Sequence, residues 1–254
     1  MAKKKLKNFS IDRLINGERI EKYDYIITKQ DPLSFVTESF QKVIINLDYA
    51  NVDGDLKVIQ FTSTLPSEGK STFVSNLSYL LGQRGKKVIV IDLDLRKPKM
   101  NRVFGSPNKD GLTDYLSGKV SLEKAINHSE DLGIDFMTSG EKTSAIINVL
   151  EAKKLQDLIA QLKEEYDYVL LDTPPVIAVS DALYISKLAD GVIFVVAQGK
   201  AKKSVVREAV SNLKNHGINI IGLVLTQVDL KSGVYGYGQN YAYYSDDDDD
   251  DDIK

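Results

Sequence analysis

The sequence predicts an α/β fold with a mostly parallel sheet that is flanked by helices on both faces. Apolar runs with strand character fall at about 57–62, 87–92, 134–138, 167–172, 190–197 and 218–226. Amphipathic helical patterns lie between them at 70–84, 145–164, 180–188 and 201–216, with short helices expected over 98–128. Alternation of strands and helices is typical of a parallel sheet, because each crossover helix packs back onto the sheet.

One further helix is predicted before the first strand, from Asp31-Pro32 to about Tyr49. Aspartate is a good N-cap, and proline suits the first helical position because that position has no intrahelical N–H bond to lose. Residues 1–30 are polar and charged and are interpreted as an N-terminal arm. The predicted domain therefore covers 31–230, followed by a tail at 231–254.

The segment 62–72, Thr-Ser-Thr-Leu-Pro-Ser-Glu-Gly-Lys-Ser-Thr, joins the first strand to a helix. A strand, a Gly-Lys-Ser loop and a helix in this order indicate a P-loop NTPase type of phosphate site. Lys70 is expected to reach the β and γ oxygens of a nucleotide, and the Ser71 hydroxyl to bind Mg²⁺. The motif is degenerate, because its first glycine is replaced by Thr64, and a plain helix cap is the alternative reading. The predicted nucleotide-binding residues are Ser67, Glu68, Gly69, Lys70, Ser71, Thr72 and Arg96.

Three aspartates follow apolar strands, and this places them at the edge where open α/β sheets bind ligands. Asp92 and Asp94 end the run at 88–94, and Asp172 ends the run at 168–172. If the strand extends to Asp94, the first two carboxylates share one face, since side chains two residues apart point the same way. Behind a Gly-Lys-Ser loop the three indicate a magnesium-nucleotide site, although aspartates that merely cap loops are common.

Four motifs follow one another along the chain: Glu-Gly-Lys-Ser-Thr (68–72), Ile-Asp-Leu-Asp-Leu-Arg-Lys-Pro (91–98), Gly-Leu-Thr-Asp-Tyr-Leu-Ser-Gly (111–118) and Leu-Asp-Thr-Pro-Pro (171–175). By these motifs in this order, over roughly 30 to 245, the chain resembles the bacterial tyrosine kinases of capsule and exopolysaccharide synthesis. The resemblance implies phosphoryl transfer from ATP with Mg²⁺, and catalytic roles for Lys70, Asp92, Asp94 and Asp172. Ser71, Asp94 and Asp172 would hold the metal, and Asp92 would accept the tyrosine proton. Arg96 would steady the phosphoryl group or pair with Asp94, with a structural salt bridge as the alternative.

The tail at 232–245 is rich in tyrosine and glycine and lacks an aliphatic core pattern, so it is predicted to be mobile. The resemblance makes its tyrosines the expected phosphate acceptors, reached in trans within a homo-oligomer: Tyr235, Tyr237, Tyr241, Tyr243 and Tyr244. A tail that only aids association is the alternative. Seven aspartates follow at 246–252 and are interpreted as a solvated run. The alternative is a role in docking the tail onto a basic neighbour or in priming tyrosine recognition.

Bulk composition narrows the function classes further. Zero cysteines and two histidines argue against disulfides, thiolate chemistry and a histidine-rich metal site. The formal charge of −3 is carried by the terminal run, because without residues 246–254 there are 32 basic and 29 acidic residues. Nucleic acid is therefore not an expected partner. With no apolar stretch of about 18 residues and no signal sequence, we expect a cytoplasmic chain. The family resemblance implies a separate membrane-spanning activator, which would hold the chain at the inner face of the membrane.

The sequence departs from the family at several places. Gln41 and Ile44 stand where the family helix carries arginines, which argues against ring assembly through those contacts. A proline-rich loop is missing after Ser139-Gly140, and the seven-aspartate run is unusual.

Three other readings stay open. A regulatory ATPase of the septum-placement and partition type shares the fold, but it carries a lysine where this chain has Leu65. A nucleotide-binding scaffold of a polysaccharide export complex would use the same residues. A GTPase is suggested only by the loose motif at 226–229, which in a kinase would lie near the adenine.

Overall fold

A computed structural model describes residues 26–52 and 54–229 of the chain. Within these residues the strands are β1 (Val58–Ser63), β2 (Val88–Asp92), β3 (Asn127–Ser129), β4 (Ile134–Met137), β5 (Tyr168–Asp172), β6 (Gly191–Ala197) and β7 (Ile220–Thr226). These seven form one sheet in the order β3-β4-β2-β5-β1-β6-β7. Neighbouring strands are parallel except for β3 and β4, which pair antiparallel. The predicted α/β class with a mostly parallel sheet is confirmed.

Helices cover both faces of this sheet. In the described part of the chain they are α1 (Ile27–Gln30), α2 (Phe35–Ala50), α3 (Lys70–Gln83), α4 (Met100–Val103), α5 (Leu112–Leu116), α6 (Leu122–Ala125), α7 (Ile146–Glu151), α8 (Lys153–Glu165), α9 (Asp181–Ser186) and α10 (Lys203–Asn215). None of them combines the length and the apolar run that a bilayer crossing takes.

Alternating side chains of the strands divide the core into two layers. Ile59 and Val90 face the layer that contains α2 and α3, whereas Val58 and Ile89 face the layer that contains α8. A third, smaller cluster joins Phe194 of β6 to α10. Strands buried on both faces read as continuous apolar runs, which is why the sequence revealed them so clearly.

Three local predictions are wrong in detail. The first long helix begins after Ser34, whose hydroxyl accepts the amide N–H of Thr37, and not at Asp31. The carbonyl of Asp31 instead accepts the hydroxyls of Ser34 and Thr37, so this residue belongs to a turn. The helix predicted over 145–164 is broken at Ala152, whose backbone is extended (ψ 131°). No glycine or proline marks this break in the sequence. The short edge strand β3 was not predicted.

Candidate functional site

The phosphate loop lies between β1 and α3, at the carboxyl edge of the sheet. Gly69 precedes the helix in a left-handed conformation (φ 83°), which glycine adopts without strain. The first intrahelical bond is donated by Phe73 to the carbonyl of Gly69. The amide N–H groups of residues 69–72 donate to no described residue. They are the four unpaired donors that every helix start presents, and here they face a cavity, so they form an anion-binding cradle.

The buried carboxylate of Glu68 fixes the shape of this loop. Glu68 is 1% exposed, and its two oxygens accept the amide N–H groups of Leu65 (2.7 Å) and Ala197 (3.3 Å). Both partners are backbone groups of the protein. The Glu68 side chain is therefore a support of the loop, and only its backbone faces a ligand.

The ends of β6 and β7 hold the outer side of the same loop. Thr226 donates its hydroxyl to the carbonyl of Glu68 (2.6 Å). The carbonyl of Ser67 accepts from the Gln227 amide (3.0 Å) and the Lys200 ammonium (2.7 Å). Ser67 has a positive φ of 62°, a costly conformation for a non-glycine residue, and these bonds hold it there.

Asp172 joins the loop to the sheet. Its carboxylate accepts Lys70 Nζ at 2.8 Å and the Ser71 hydroxyl at 2.7 Å. Lys70 is 8% exposed and Asp172 is 1% exposed, so this ion pair is largely shielded from water. A hydroxyl, an ammonium and a carboxylate are thus in direct contact beside the cradle.

The neighbouring strands set the position of Asp172. Thr62 of β1 donates its hydroxyl to the carbonyl of Pro174, and Thr173 donates its hydroxyl to the carbonyl of Phe61, both at 2.8 Å. These two bonds fix the turn after β5 onto the end of β1, although the two strands are far apart in sequence.

Asp92 is the register partner of Asp172 on the other side of β5. Burial, and then the charge of Asp172, raises the pKa of Asp92 to about 7. The carboxylate is fully buried and accepts the amide N–H groups of Asp94, Lys99 and Met100 at 2.9–3.1 Å. It organises the loop that follows β2 and does not line the cavity.

Asp94 lies beyond the end of β2, which stops at Asp92, so the two carboxylates do not share one strand face as predicted. Asp94 lines the cavity. Burial raises the pKa of Asp94, whereas the Lys97 amide and the Lys70 ammonium act to lower it. The charge of Lys70 therefore reaches both Asp94 and Asp172.

The donor set near Lys70 suits magnesium. The hydroxyl of Ser71 and the carboxylates of Asp94 and Asp172 are hard oxygen donors of the kind that Mg²⁺ prefers. Among the residues that the structure describes, no three His, Cys, Asp or Glu side chains are arranged to hold a metal alone. The three predicted aspartates thus do not converge as one metal cluster. Because Mg²⁺ is usually bound by one or two carboxylates together with substrate phosphates, the residues fit a metal that enters with its nucleotide.

Arg96 pairs with Asp181 at the start of α9 and not with Asp94. Its Nε and Nη2 donate to the two Asp181 oxygens at 2.7 and 3.0 Å. Asp181 is 1% exposed and Arg96 is 43% exposed, so the guanidinium lies over a buried carboxylate with one edge open. The salt bridge ties the loop after β2 to the start of α9, and Arg96 still lines the cavity.

A cavity of about 380 Å³ opens in front of these groups. Its wall includes all seven residues that the sequence assigned to the nucleotide, together with Asp94. The wall also carries Lys97, Lys99, Arg102 and the Pro174-Pro175 turn. The excess of cations over carboxylates at the opening favours a polyanionic ligand.

Sequence reasoning missed the residues that brace the loop from behind: Lys200, Thr226 and Gln227. The sequence carries one weak signal, the loose base-selecting motif at 226–229, but in the structure Thr226 and Gln227 contact the backbone of the phosphate loop. The five predicted acceptor tyrosines and the seven aspartates lie outside the described residues.

Comparisons with known proteins agree with this geometry. Residues 56–216 match the family model described as an AAA domain. The chain is 35% identical over 222 residues to the tyrosine-protein kinase YwqD of Bacillus subtilis, covering 87% of this chain and 93% of the relative. The kinase domain of the Escherichia coli tyrosine kinase ETK superposes with a TM-score of 0.78 at 28% identity, covering 83% of this chain and 82% of that one.

A second group of structures shares the fold less closely. The septum site-determining protein MinD of Pyrococcus horikoshii, complexed with Mg-ADP, gives a TM-score of 0.57 at 27% identity and covers 66% of this chain and 69% of that one. The relatives also differ in length. A putative tyrosine-protein kinase of Klebsiella pneumoniae is 34% identical over 213 residues, 84% of this chain, which spans only 29% of that protein.

Proposed function

This chain belongs to the bacterial tyrosine-protein kinases, and we propose that it transfers the γ-phosphoryl group of Mg-ATP to the tyrosines of its own C-terminal cluster. One observation carries the proposal. Four unpaired amide N–H groups at residues 69–72, the Lys70 ammonium and the Asp94 carboxylate line one cavity, and Lys70 and Ser71 in its wall contact the buried carboxylate of Asp172. This is the equipment for binding a triphosphate and neutralising charge during phosphoryl transfer.

Each residue has a distinct part in this proposal. The cradle and Lys70 bind the β- and γ-phosphates, and Lys70 exchanges its contact with Asp172 for phosphate oxygens. Ser71, Asp94 and Asp172 hold the metal, which supplies charge neutralisation when bound. The roles of Ser67, Glu68, Gly69 and Thr72 are carried by the loop backbone.

Asp92 is the proposed acceptor of the tyrosine proton. An ordinary aspartate is a weak base for a phenol with a pKa of about 10, but a pKa of about 7 narrows that gap. The carboxylate lies behind the loop after β2, whereas Asp94 faces the cavity. Comparing Asp92→Asn with Asp94→Asn tests the assignment: the pH dependence of kcat, and not only the affinity for Mg-ATP, should change in the Asp92 variant.

The tail begins beside the site, because Gln227 contacts the phosphate loop. At about 3.3 Å per residue, Tyr235 lies up to roughly 26 Å of chain beyond Gln227, and Tyr244 up to roughly 56 Å. The chain length alone permits the distal tyrosines to reach their own site or a neighbour's. Transfer in trans within a homo-oligomer is proposed on the family resemblance.

The same resemblance supports a place in the cell. We infer a cytoplasmic chain held at the inner face of the membrane by a membrane-spanning activator, which it serves in capsule or exopolysaccharide synthesis and export. Cosedimentation of the full chain with membranes that contain or lack the candidate activator tests this part separately.

The regulatory ATPase is the second candidate, supported by the likeness to MinD. Leu65 occupies the position where that class carries a lysine, and the kinase domain superposes better, with a TM-score of 0.78 against 0.57. Both observations favour the kinase.

Intact mass after incubation with Mg-ATP separates the candidates. Added phosphate that maps to residues 235–244 supports the kinase. Release of ADP without protein phosphate supports the ATPase, and nucleotide binding without turnover, with the activator present, supports a scaffold.

Mixing two chains tests transfer in trans. A chain truncated after residue 230 serves as donor, and a Lys70→Met chain with an intact tail serves as acceptor. Phosphate should appear on the tail of the Lys70→Met acceptor. The control acceptor is Lys86→Met, in which an exposed lysine outside the site is changed, and it should also be labelled. If the Lys70→Met chain stays unlabelled while the Lys86→Met chain phosphorylates itself, the trans model is rejected and the kinase activity is retained.

A further inference from the structure

The cavity carries more positive charge than its nucleotide cradle uses. Five cationic side chains line it, namely Lys70, Arg96, Lys97, Lys99 and Arg102. Lys70 is paired with Asp172, and Arg96 is paired with Asp181. The other three form what we call the cationic rim: Lys97, Lys99 and Arg102.

The cationic rim has no partner of its own in the described part of the chain. All three side chains are exposed, and none forms an ion pair with a described carboxylate. Lys99 acts on Asp94 only through its charge, which helps to lower the pKa of that carboxyl. Three like charges that line one cavity without an ion-pair partner attract an anion from outside the described residues.

The rim is fixed in place although its side chains are exposed. The amides of Lys97 and Lys99 donate to the carboxylates of Asp94 and Asp92 at 3.0 and 2.9 Å. Arg102 follows on α4, whose neighbour Met100 is fully buried. The backbone anchors therefore fix the three positions from which these side chains extend, on the cavity wall formed by residues 94–103.

The same sequence contains a complementary anion. Residues 246–252 are seven consecutive aspartates, and they begin two residues after Tyr244. We propose that the aspartate run of one copy docks on the cationic rim of a second copy and thereby selects the distal tyrosines for phosphorylation. This inference rests on the proposed function and names the substrate determinant of that site.

Chain length explains the selection. At about 3.3 Å per residue, Tyr244 lies within roughly 7 Å of the first aspartate, and Tyr243 within roughly 10 Å. Tyr235, eleven residues from Asp246, is up to roughly 36 Å away. A run bound at the mouth of the cavity thus holds the distal tyrosines beside Asp94, whereas a proximal tyrosine would need a long loop.

Peptide binding tests the docking without requiring catalysis. Two fluorescent peptides covering residues 232–254 are compared by anisotropy, one native and one with all seven aspartates changed to asparagine. The receptor is the full chain carrying the same seven Asp→Asn changes, with Mg-ADP, so that its own run does not compete. Three exposed ion pairs of ordinary strength give the native peptide about 10-fold tighter binding. The advantage should shrink between 0.05 and 0.5 M salt, because screening shortens the reach of exposed charges.

Two triple variants of the receptor locate the effect. Lys97→Ala, Lys99→Ala and Arg102→Ala together should remove most of the preference for the native peptide. The matched control changes two lysines and one arginine on the exposed face of α10: Lys203→Ala, Arg207→Ala and Lys214→Ala. This control carries the same change in net charge and should keep the preference.

Three results would overturn the inference. The first is that both peptides bind a receptor with an unmodified rim with equal affinity. The second is that both triple variants lose the preference for the native peptide to the same extent. The third is that the rim variant loses affinity for Mg-ADP as strongly as it loses affinity for the peptide. The comparison of the two peptides needs no change in the rim, so it stands even if the rim variant does not fold. If the kinase proposal fails, no phosphotyrosine forms in the mass experiment, and these binding results are unaffected by that failure.

Transfer itself gives a last readout. In a time course with the native full chain, phosphate should appear on Tyr243 and Tyr244 before Tyr235. With the aspartates changed to asparagine, the initial rate at the distal pair should fall about 10-fold and the order should be lost. An unchanged order would contradict selection by the run.

Discussion

Replacing Glu68 by glutamine tests whether this side chain supports the phosphate loop or contacts the ligand. The substitution keeps the shape and removes one acceptor oxygen. In the protein both oxygens accept backbone N–H groups, from Leu65 at 2.7 Å and Ala197 at 3.3 Å. A glutamine side chain offers only one oxygen, so one of the two amides then faces an NH₂ group.

The expected cost follows from the burial of the site. Glu68 is 1% exposed, so water cannot satisfy the amide that loses its acceptor. An unsatisfied buried donor costs about 1–3 kcal/mol. For a domain of this size, about 2 kcal/mol corresponds to a fall of roughly 4–8 °C in the melting midpoint.

The assay is thermal unfolding followed by circular dichroism in the absence of nucleotide. Glu141→Gln is the control, because the Glu141 carboxylate is exposed and its ion pair is with the exposed Lys119. Lys119 also lies near the Asp114 carboxylate and so keeps an acidic neighbour in this variant. That control should leave the midpoint within the error of the measurement. A Glu68→Gln chain that melts like the native protein without nucleotide, yet loses affinity for Mg-ADP, would refute the reasoning and place the carboxylate on the ligand.

Three further predictions concern the supports of the site and the core. Thr226→Val removes the hydroxyl that donates to the Glu68 carbonyl, worth about 1 kcal/mol, and should weaken Mg-ADP binding about 5-fold in calorimetry. Arg96→Ala leaves the buried Asp181 carboxylate without its bidentate partner and should reduce the free energy of unfolding by about 2 kcal/mol in urea titrations, less than for a fully buried pair because Arg96 is 43% exposed. Burial, and then the hydrogen bond to the Asp135 carboxylate, raises the pKa of Tyr166, so its phenol should ionise at higher pH than an ordinary tyrosine, as ultraviolet titration of the native chain against Tyr166→Phe would measure. The stability that this shift contributes is present below the unfolded pKa of about 10 and is lost as the pH rises through the raised folded pKa.

Each of these has a result that contradicts it. Unchanged affinity in Thr226→Val means that the loop keeps its shape without the β7 contact. Arg84→Ala removes a more exposed ion pair, with Asp48, and should reduce the free energy of unfolding by less than Arg96→Ala does. An equal reduction would mean that the burial of Asp181 adds no stability to the Arg96 pair. A phenolate signal near pH 10 that disappears in Tyr166→Phe would contradict the raised pKa.

Helix α2 differs from the family pattern at the two positions where the resemblance implies arginines for ring assembly, and contacts within the chain involve both positions. Ile44, at one expected arginine position, is 1% exposed and belongs to the core. Gln41, at the other, accepts a hydrogen bond from Arg84 at 2.6 Å. Both positions of α2 are thus engaged within the same chain.

By itself, the sequence determined the alternation of strands and helices, the phosphate loop and the aspartates at strand ends. These features follow from local periodicity: buried strands read as apolar runs, and their ends place polar residues at one edge. The exceptions are also local in origin. Nothing in the composition marks the break at Ala152, and the turn that begins at Asp31 differs from a helix start only through hydrogen bonds to Ser34 and Thr37.

Only the tertiary structure decided which of these groups meet. The order β2-β5-β1-β6-β7 brings Asp172 between Asp92 and the phosphate loop and places Thr226 against Glu68, 158 residues away in the chain. It also assigns Arg96 to Asp181, 85 residues away, instead of its neighbour Asp94. The physical reason is that periodicity fixes the face on which a side chain lies, whereas its partner depends on which strands the crossover connections place side by side.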